Sequence, residues 1–172
     1  MTKQRLTLIS VVGLLVFSLL FGGQFFYKKN WVDKSIQEQS RQIPGVVSAD
    51  VVQDNGQQVL NVVTDQITDL RQVGTDLVNL AAGRPIRLLD KRTPKLEQLL
   101  NQMQFALQEG IVRGNFTEMA QSVKDQAEKA GVKLDFTMDS DNVYLVLNDQ
   151  DGQLVTVLER RGQGSFLPSA KN

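Results

Sequence analysis

The chain has 172 residues, with 19 basic and 19 acidic side chains and no net charge, so it carries no field that would draw it to nucleic acid. It has no cysteine, which excludes disulfides and thiolate metal sites, and no histidine, which removes the commonest general base and transition-metal ligand. An enzyme built from it would have to work with carboxylates, lysine or serine, and nothing in it calls for a cofactor.

After a five-residue tail, Leu6 to Tyr27 runs 22 residues without a charge, between Arg5 and the pair Lys28-Lys29. As a helix this segment would be about 33 Å long, enough to cross a hydrocarbon core of about 30 Å. Cleavage after Gly22 or Gly23 would put Leu20 or Phe21 at the −3 position, where a signal-peptide site wants a small residue. The expectation is therefore a retained signal anchor over residues 6–27. Arg5, Tyr27, Lys28, Lys29 and Trp31 suit the headgroup interface, where amines snorkel and amphipathic rings sit. Basic charge is nearly balanced across the span; the short tail favours a cytoplasmic N-terminus and an extracytoplasmic domain, against the alternative of a domain facing the cytoplasm.

Residues 28–45 read as a juxtamembrane helix or stalk, polar from Asp33 to Ile43 and stopped by Pro44-Gly45. A ββαβ unit is expected over 46–90. Val46 to Gln53 and Gln57 to Thr64 are valine-rich and flank Asp54-Asn55-Gly56, the signature of a hairpin with a type I′ turn. Asp65 or Thr68 can cap a helix in which Leu70, Val73, Leu77, Leu80 and Ala81 recur at helical spacing, ending near Gly83 with Pro85 beyond. Ile86 to Leu89 is a third strand, returning beside the hairpin.

An ααβββ unit is expected over 91–160. Thr93-Pro94 supplies an N-cap with proline at N1, and Leu96, Leu99, Leu100, Met103, Leu107 and Ile111 form the stripe of a helix reaching Arg113. Gly114 ends it and Asn115 starts a second helix, with Phe116, Met119, Ala120, Val123 and Ala127 on one side and Gly131 as its stop. These stripes are read as core, because both helices need a sheet to cover; the alternative is a groove for a partner. Val132 to Met138, Val143 to Leu147 and Leu154 to Glu159 make an antiparallel meander with one covered face. Residues 161–172, with Gly162, Gly164 and Pro168, are expected to be a disordered tail. The fold class is thus α+β: an αββαβ unit, then a helix-helix-βββ meander unit.

Two charged groups are candidate sites. Asp139, Asp141, Asp149 and Asp151 gather at two successive turns and offer hard oxygens to a cation, although their spacing is not that of an EF-hand loop and aspartate also favours turns on its own account. Arg84, Arg87, Lys91 and Arg92 crowd the connection between the two units and could hold an anionic polymer or headgroup; the alternative is a solvated loop. Ser122 and Lys124 stand two residues apart on a helix and point to different faces, so no serine-lysine catalytic pair is expected.

The segment Ile43-Pro44-Gly45-Val46-Val47-Ser48-Ala49-Asp50-Val51-Val52, the Asn55-Gly56 turn, Gln58 to Val63 and the helix after it resemble the αββαβ modules called ring-building motifs. They are also similar to IPGV-x-x-A-x-V segments of sporulation lipoproteins from Gram-positive spore formers. The resemblance covers residues 35–90 and lacks the lipidated cysteine. It implies assembly of an envelope complex, with the membrane and other envelope proteins as partners, and homo-oligomerisation left open. The expectation is an envelope component acting by protein-protein interaction. The rivals are a small-ligand or wall-fragment sensor, with a cleft between the two units, and a carboxylate-dependent hydrolase.

Overall fold

The computed structural model describes residues 35–162 and 164–172. The anchor at 6–27, its interface residues Arg5, Tyr27, Lys28, Lys29 and Trp31, and the first part of the stalk lie outside the described residues. Among the described residues no helix is long and apolar enough to cross a membrane.

Residues 35–40 are helical. The chain then turns at Gly45, whose φ of +79° suits glycine and whose added Cβ would stand 2.7 Å from Ile67 Cγ1. Strands β1 (Val46–Asp54) and β2 (Gln57–Thr64) pair antiparallel, with Val52 opposite Val59 and Asp54 opposite Gln57. Asn55 and Gly56 have φ of 48° and 83°, the two positive values a type I′ turn requires. Helix α1 (Leu70–Ala81) is capped by Asp69, whose Oδ1 accepts from the Gln72 N–H at 3.0 Å. Neither Asp65 nor Thr68 is the cap, because the chain turns again before the helix begins. Strand β3 (Ile86–Asp90) lies parallel to β2, with Leu60 opposite Ile86 and Val62 opposite Leu88.

Thr93 caps helix α2 (Pro94–Arg113), its hydroxyl accepting from the Leu96 N–H, and Gly114 closes it in the left-handed conformation. Helix α3 (Phe116–Ala130) follows at once, and the corner is tight enough that a Cβ on Gly110 would sit 2.5 Å from Met119 Cβ. Leu96, Leu99, Met103 and Leu107 of α2 and Met119, Val123 and Ala127 of α3 form one core with Val143, Leu145, Leu147 and Leu154. These last four belong to the meander of β4 (Lys133–Met138), β5 (Asn142–Asn148) and β6 (Gln153–Glu159), antiparallel with Leu134, Leu147 and Leu154 in one row.

Two expectations are corrected here. Strands β5 and β6 of the meander are covered on both faces: Tyr144, Val146 and Val155, which alternate with the helix-facing residues, are also buried, while β4 is only partly buried. Gly74 in the middle of α1 makes room for the Tyr144 ring, because a Cβ there would meet Tyr144 Cε1 at 3.0 Å and Phe166 Cζ at 3.6 Å. The tail is ordered where it is described. Ser165 C=O accepts from Ile86 N–H, Leu167 N–H donates to Ile86 C=O, and β7 (Ala170–Lys171) adds in parallel to β3. The Glu159 carboxylate accepts from the N–H groups of Gly164, Ser165 and Phe166, which turns the chain toward that edge, and Phe166 is buried. The first sheet is therefore mixed, in the order β1-β2-β3-β7, beside the separate β4-β5-β6 sheet. The α+β class holds. Residues 37–172 form one compact unit, so the ββαβ and ααβββ segments are parts of a single body.

Candidate functional site

The basic connection does not present four free cations. Arg84 donates from Nε to Gln58 Oε1 at 3.2 Å and from Nη1 to the Ala81 carbonyl at 3.0 Å, closing the C-terminus of α1. Arg87, on β3, pairs with Asp54 at the end of the hairpin at 2.5 Å. Arg92 turns inward and grips Asp90 with both arms of its fork, Nε to Oδ1 at 2.6 Å and Nη2 to Oδ2 at 2.7 Å. Its side chain is 8% exposed and that of Asp90 is 1% exposed, so this pair belongs to the interior and not to a solvated loop. Lys91 is exposed, and its carbonyl accepts from the Gln153 N–H at 3.0 Å. Three of the four cations are thus engaged by partners of their own, in different directions.

The stretch Asp90 to Thr93 joins the two sheets. Asp90 Oδ2 also accepts from the Val155 N–H of β6 at 2.8 Å, and Thr93 donates its hydroxyl to Asp149 Oδ2 at 2.6 Å. Gly152 is pressed so close that an added Cβ would lie 2.1 Å from the Lys91 carbonyl oxygen. Beside it the buried Gln153 amide pairs with the backbone of Ile67 in both senses, accepting the Ile67 N–H at 2.8 Å and donating to the Ile67 C=O at 2.9 Å. These contacts pack the seam between the two segments, where the small-ligand reading places its cleft.

The four aspartates divide into two pairs at opposite ends of β5, seven residues or about 23 Å apart. Asp139 Oδ1 accepts from the N–H groups of Asp141 and Asn142, and its Oδ2 accepts from the Tyr144 hydroxyl at 2.7 Å. Burial raises the Asp139 pKa, but these donors outweigh it and hold the carboxyl below its ordinary value of 3.8. Burial and the Asp139 partner push the Tyr144 phenol up to about 12. Asp149 repeats the turn, with Oδ1 accepting from Asp151 and Gly152 N–H. Burial again raises its pKa, while the Thr93 hydroxyl, these N–H groups and Lys95 bring it below the ordinary value. Both turns use their first aspartate to close the hairpin backbone. Among the described residues no group of three or more acidic side chains is placed to hold a metal ion.

No protein-family model, curated protein or solved structure matches the chain.

Ser122 and Lys124 engage separate partners: the Ser122 hydroxyl accepts from Gln126 at 3.3 Å and the Lys124 ammonium stands 3.8 Å from Glu128. The surface feature that sequence reasoning did not single out lies on α2. Phe105 is 86% exposed and Val112 is 81% exposed, although both stand among the Leu/Met positions that were read as core. The helical wheel carries the missed signal. Phe105 is about 160° around the helix from Met103, so it cannot share the buried stripe.

Proposed function

We propose that the chain is a single-pass membrane protein whose α+β domain works by protein-protein contact, as a structural or accessory component of an envelope assembly. The observation that carries this is the run of 22 uncharged residues from Leu6 to Tyr27, bounded by Arg5 and Lys28-Lys29. In this reading the N-terminus is cytoplasmic and the domain is extracytoplasmic. Anchoring confines the domain to two dimensions and raises its effective concentration toward membrane partners, so weak contacts suffice. The polar groups at its turns and at its basic connection serve its own fold, which supports a scaffold over a carboxylate-dependent hydrolase. The resemblance of residues 35–90 to ring-building modules points the same way and makes a sporulation envelope one setting for it.

The test is fractionation of cells expressing the full chain, followed by protease treatment of intact spheroplasts and in-cell crosslinking. The expected result is a full-length protein in the alkaline-washed membrane pellet, digested from outside and captured with envelope proteins. Release by alkaline wash, or a mature N-terminus beyond residue 20, would sink the anchor. A soluble exported domain that keeps full function would sink the tethering mechanism.

A further inference from the structure

Asn55 is the one asparagine of the sequence that is followed by glycine. Such a pair can react with itself: the amide nitrogen of the second residue attacks the asparagine Cγ, and glycine leaves that path clear because it has no side chain. Both residues are exposed here, and nothing lies within 4 Å of where a Gly56 Cβ would stand. The hairpin ladder ends with Asp54 opposite Gln57, so Asn55 and Gly56 form the loop beyond it. The related dipeptide Asp151-Gly152 is locked by contrast. Its two N–H groups donate to Asp149 Oδ1 at 2.9 and 2.7 Å, and the Lys91 carbonyl oxygen stands where a Gly152 Cβ would be.

The turn itself holds the reaction back. A type I′ turn gives its first central residue a ψ of about 30°, which turns the Asn55 side chain away from the Gly56 nitrogen, so the ring closes only when the tip opens. Strand β1 is the edge of its sheet, and the tip is clasped from β3 by Arg87, whose guanidinium pairs with Asp54 at 2.5 Å. We infer that Asn55 is a site of spontaneous deamidation, at a rate set by opening of the hairpin tip, and that the Arg87–Asp54 pair is the clasp that slows it. In this step the Gly56 nitrogen forms a bond to Asn55 Cγ, the Cγ–Nδ2 bond breaks, and ammonia leaves with the Gly56 amide proton, giving a cyclic imide. Water then opens the ring at either carbonyl, to aspartate or to isoaspartate, and nothing is oxidised or reduced. Aspartate keeps the turn, since Asp-Gly also suits type I′. Isoaspartate routes the main chain through its own Cβ and lengthens the loop by an atom, so the Asp54–Gln57 pair must open. Either product adds a negative charge to a chain whose formal net charge is zero. The result is a slow, one-way mark that separates old molecules from new ones.

The test is incubation of the full chain in mild detergent in warm, mildly alkaline buffer, with peptide mass spectrometry over time and enzymatic methylation to detect isoaspartate. The expected result is that the peptide holding Asn55 gains about 1 Da before any other asparagine reacts, and appears as both aspartate and isoaspartate. Asn55→Gln should abolish the change at that peptide. Arg87→Gln should speed it about two- to fivefold, the opening that a lost ion pair of modest worth allows. Asp54→Gln breaks the same pair from the other side and should match it, with melting temperatures measured alongside to separate tip opening from global unfolding. In concentrated urea the tip is open in every chain, so the reaction should be faster and the Arg87→Gln and unmodified chains should react alike. An Asn55 that stays intact in the folded chain, or another asparagine that reacts first, would overturn the site. Rates in the folded chain that ignore both Arg87→Gln and Asp54→Gln would overturn the clasp.

Discussion

Replacing Arg92 with glutamine decides whether the basic connection is a binding feature or a structural one. The substitution leaves the Asp90 carboxylate, 1% exposed, with the Val155 N–H as its remaining donor among the three contacts it has now. Breaking a buried pair from one side costs about 3–5 kcal/mol, because the remaining charge loses its compensation in a medium that solvates it poorly. For a folded unit of the size of residues 37–172, between the classes for which 1 kcal/mol means ~4–8 °C and ~2–4 °C, the melting temperature should fall by about 12–20 °C. The assay is urea and thermal unfolding of the full chain in mild detergent, followed by far-UV circular dichroism. Lys91→Gln, at the surface, should stay within about 0.5 kcal/mol. Adding Asp90→Asn to Arg92→Gln removes the orphan charge and should recover part of the loss, giving a coupling of about 0.5–3 kcal/mol. If Arg92→Gln unfolds like Lys91→Gln, the interior role assigned to the pair is refuted.

At the corner of α2 and α3, Gly110→Ala sets a helix-propensity gain of about 1 kcal/mol against a 2.5 Å clash with the Met119 Cβ and Sδ. Overpacking of about 1–3 kcal/mol should win, so the variant is less stable; a gain in stability by urea titration would contradict the packing. Truncation after Gly162 should lower the midpoint, and Phe166→Ala in the full chain should account for most of that through its buried ring, about 3–5 kcal/mol; an unchanged midpoint in both would return the tail to disorder. The Asp139–Tyr144 pair sets two pH limits. Asp139 is held below 3.8, so its contribution is present above that value and is lost as pH falls through the lower folded pKa. Tyr144 is raised from 10.0 to about 12, so its contribution is complete below pH 10 and is lost as pH rises toward 12. Ultraviolet titration of the two tyrosines should show one late step that disappears in Tyr144→Phe; a single step near 10 would contradict the hydrogen bond.

Much of the fold was legible because its signals are local. Asn55-Gly56 specifies its turn through the φ values that those two residues tolerate, and Thr93-Pro94 specifies a helix start through one hydroxyl and a missing N–H. The stripe of Leu96, Leu99, Met103 and Leu107 selects its buried side by the helical period. Even the two-sided burial of β5 had a sign, the unbroken apolar run Val143-Tyr144-Leu145-Val146-Leu147, since a half-exposed strand alternates.

Other features depended on partners far along the chain. Gln153 reads as an ordinary polar residue after a turn until Ile67, 86 positions earlier, presents its N–H and C=O to the amide. Arg92 reads as a loop cation until the fold buries it with Asp90 against β6. The tail lacks the apolar content to fold alone, and it is ordered by the open edge of β3, the Glu159 carboxylate and the burial of Phe166. Turns, caps and periods were determined by the sequence itself, because each is a contest among the conformations of a few neighbouring residues. Which polar side chains would be satisfied inside, and which apolar ones would stay at the surface of α2, was decided only by tertiary structure, because burial is a property of the assembled chain.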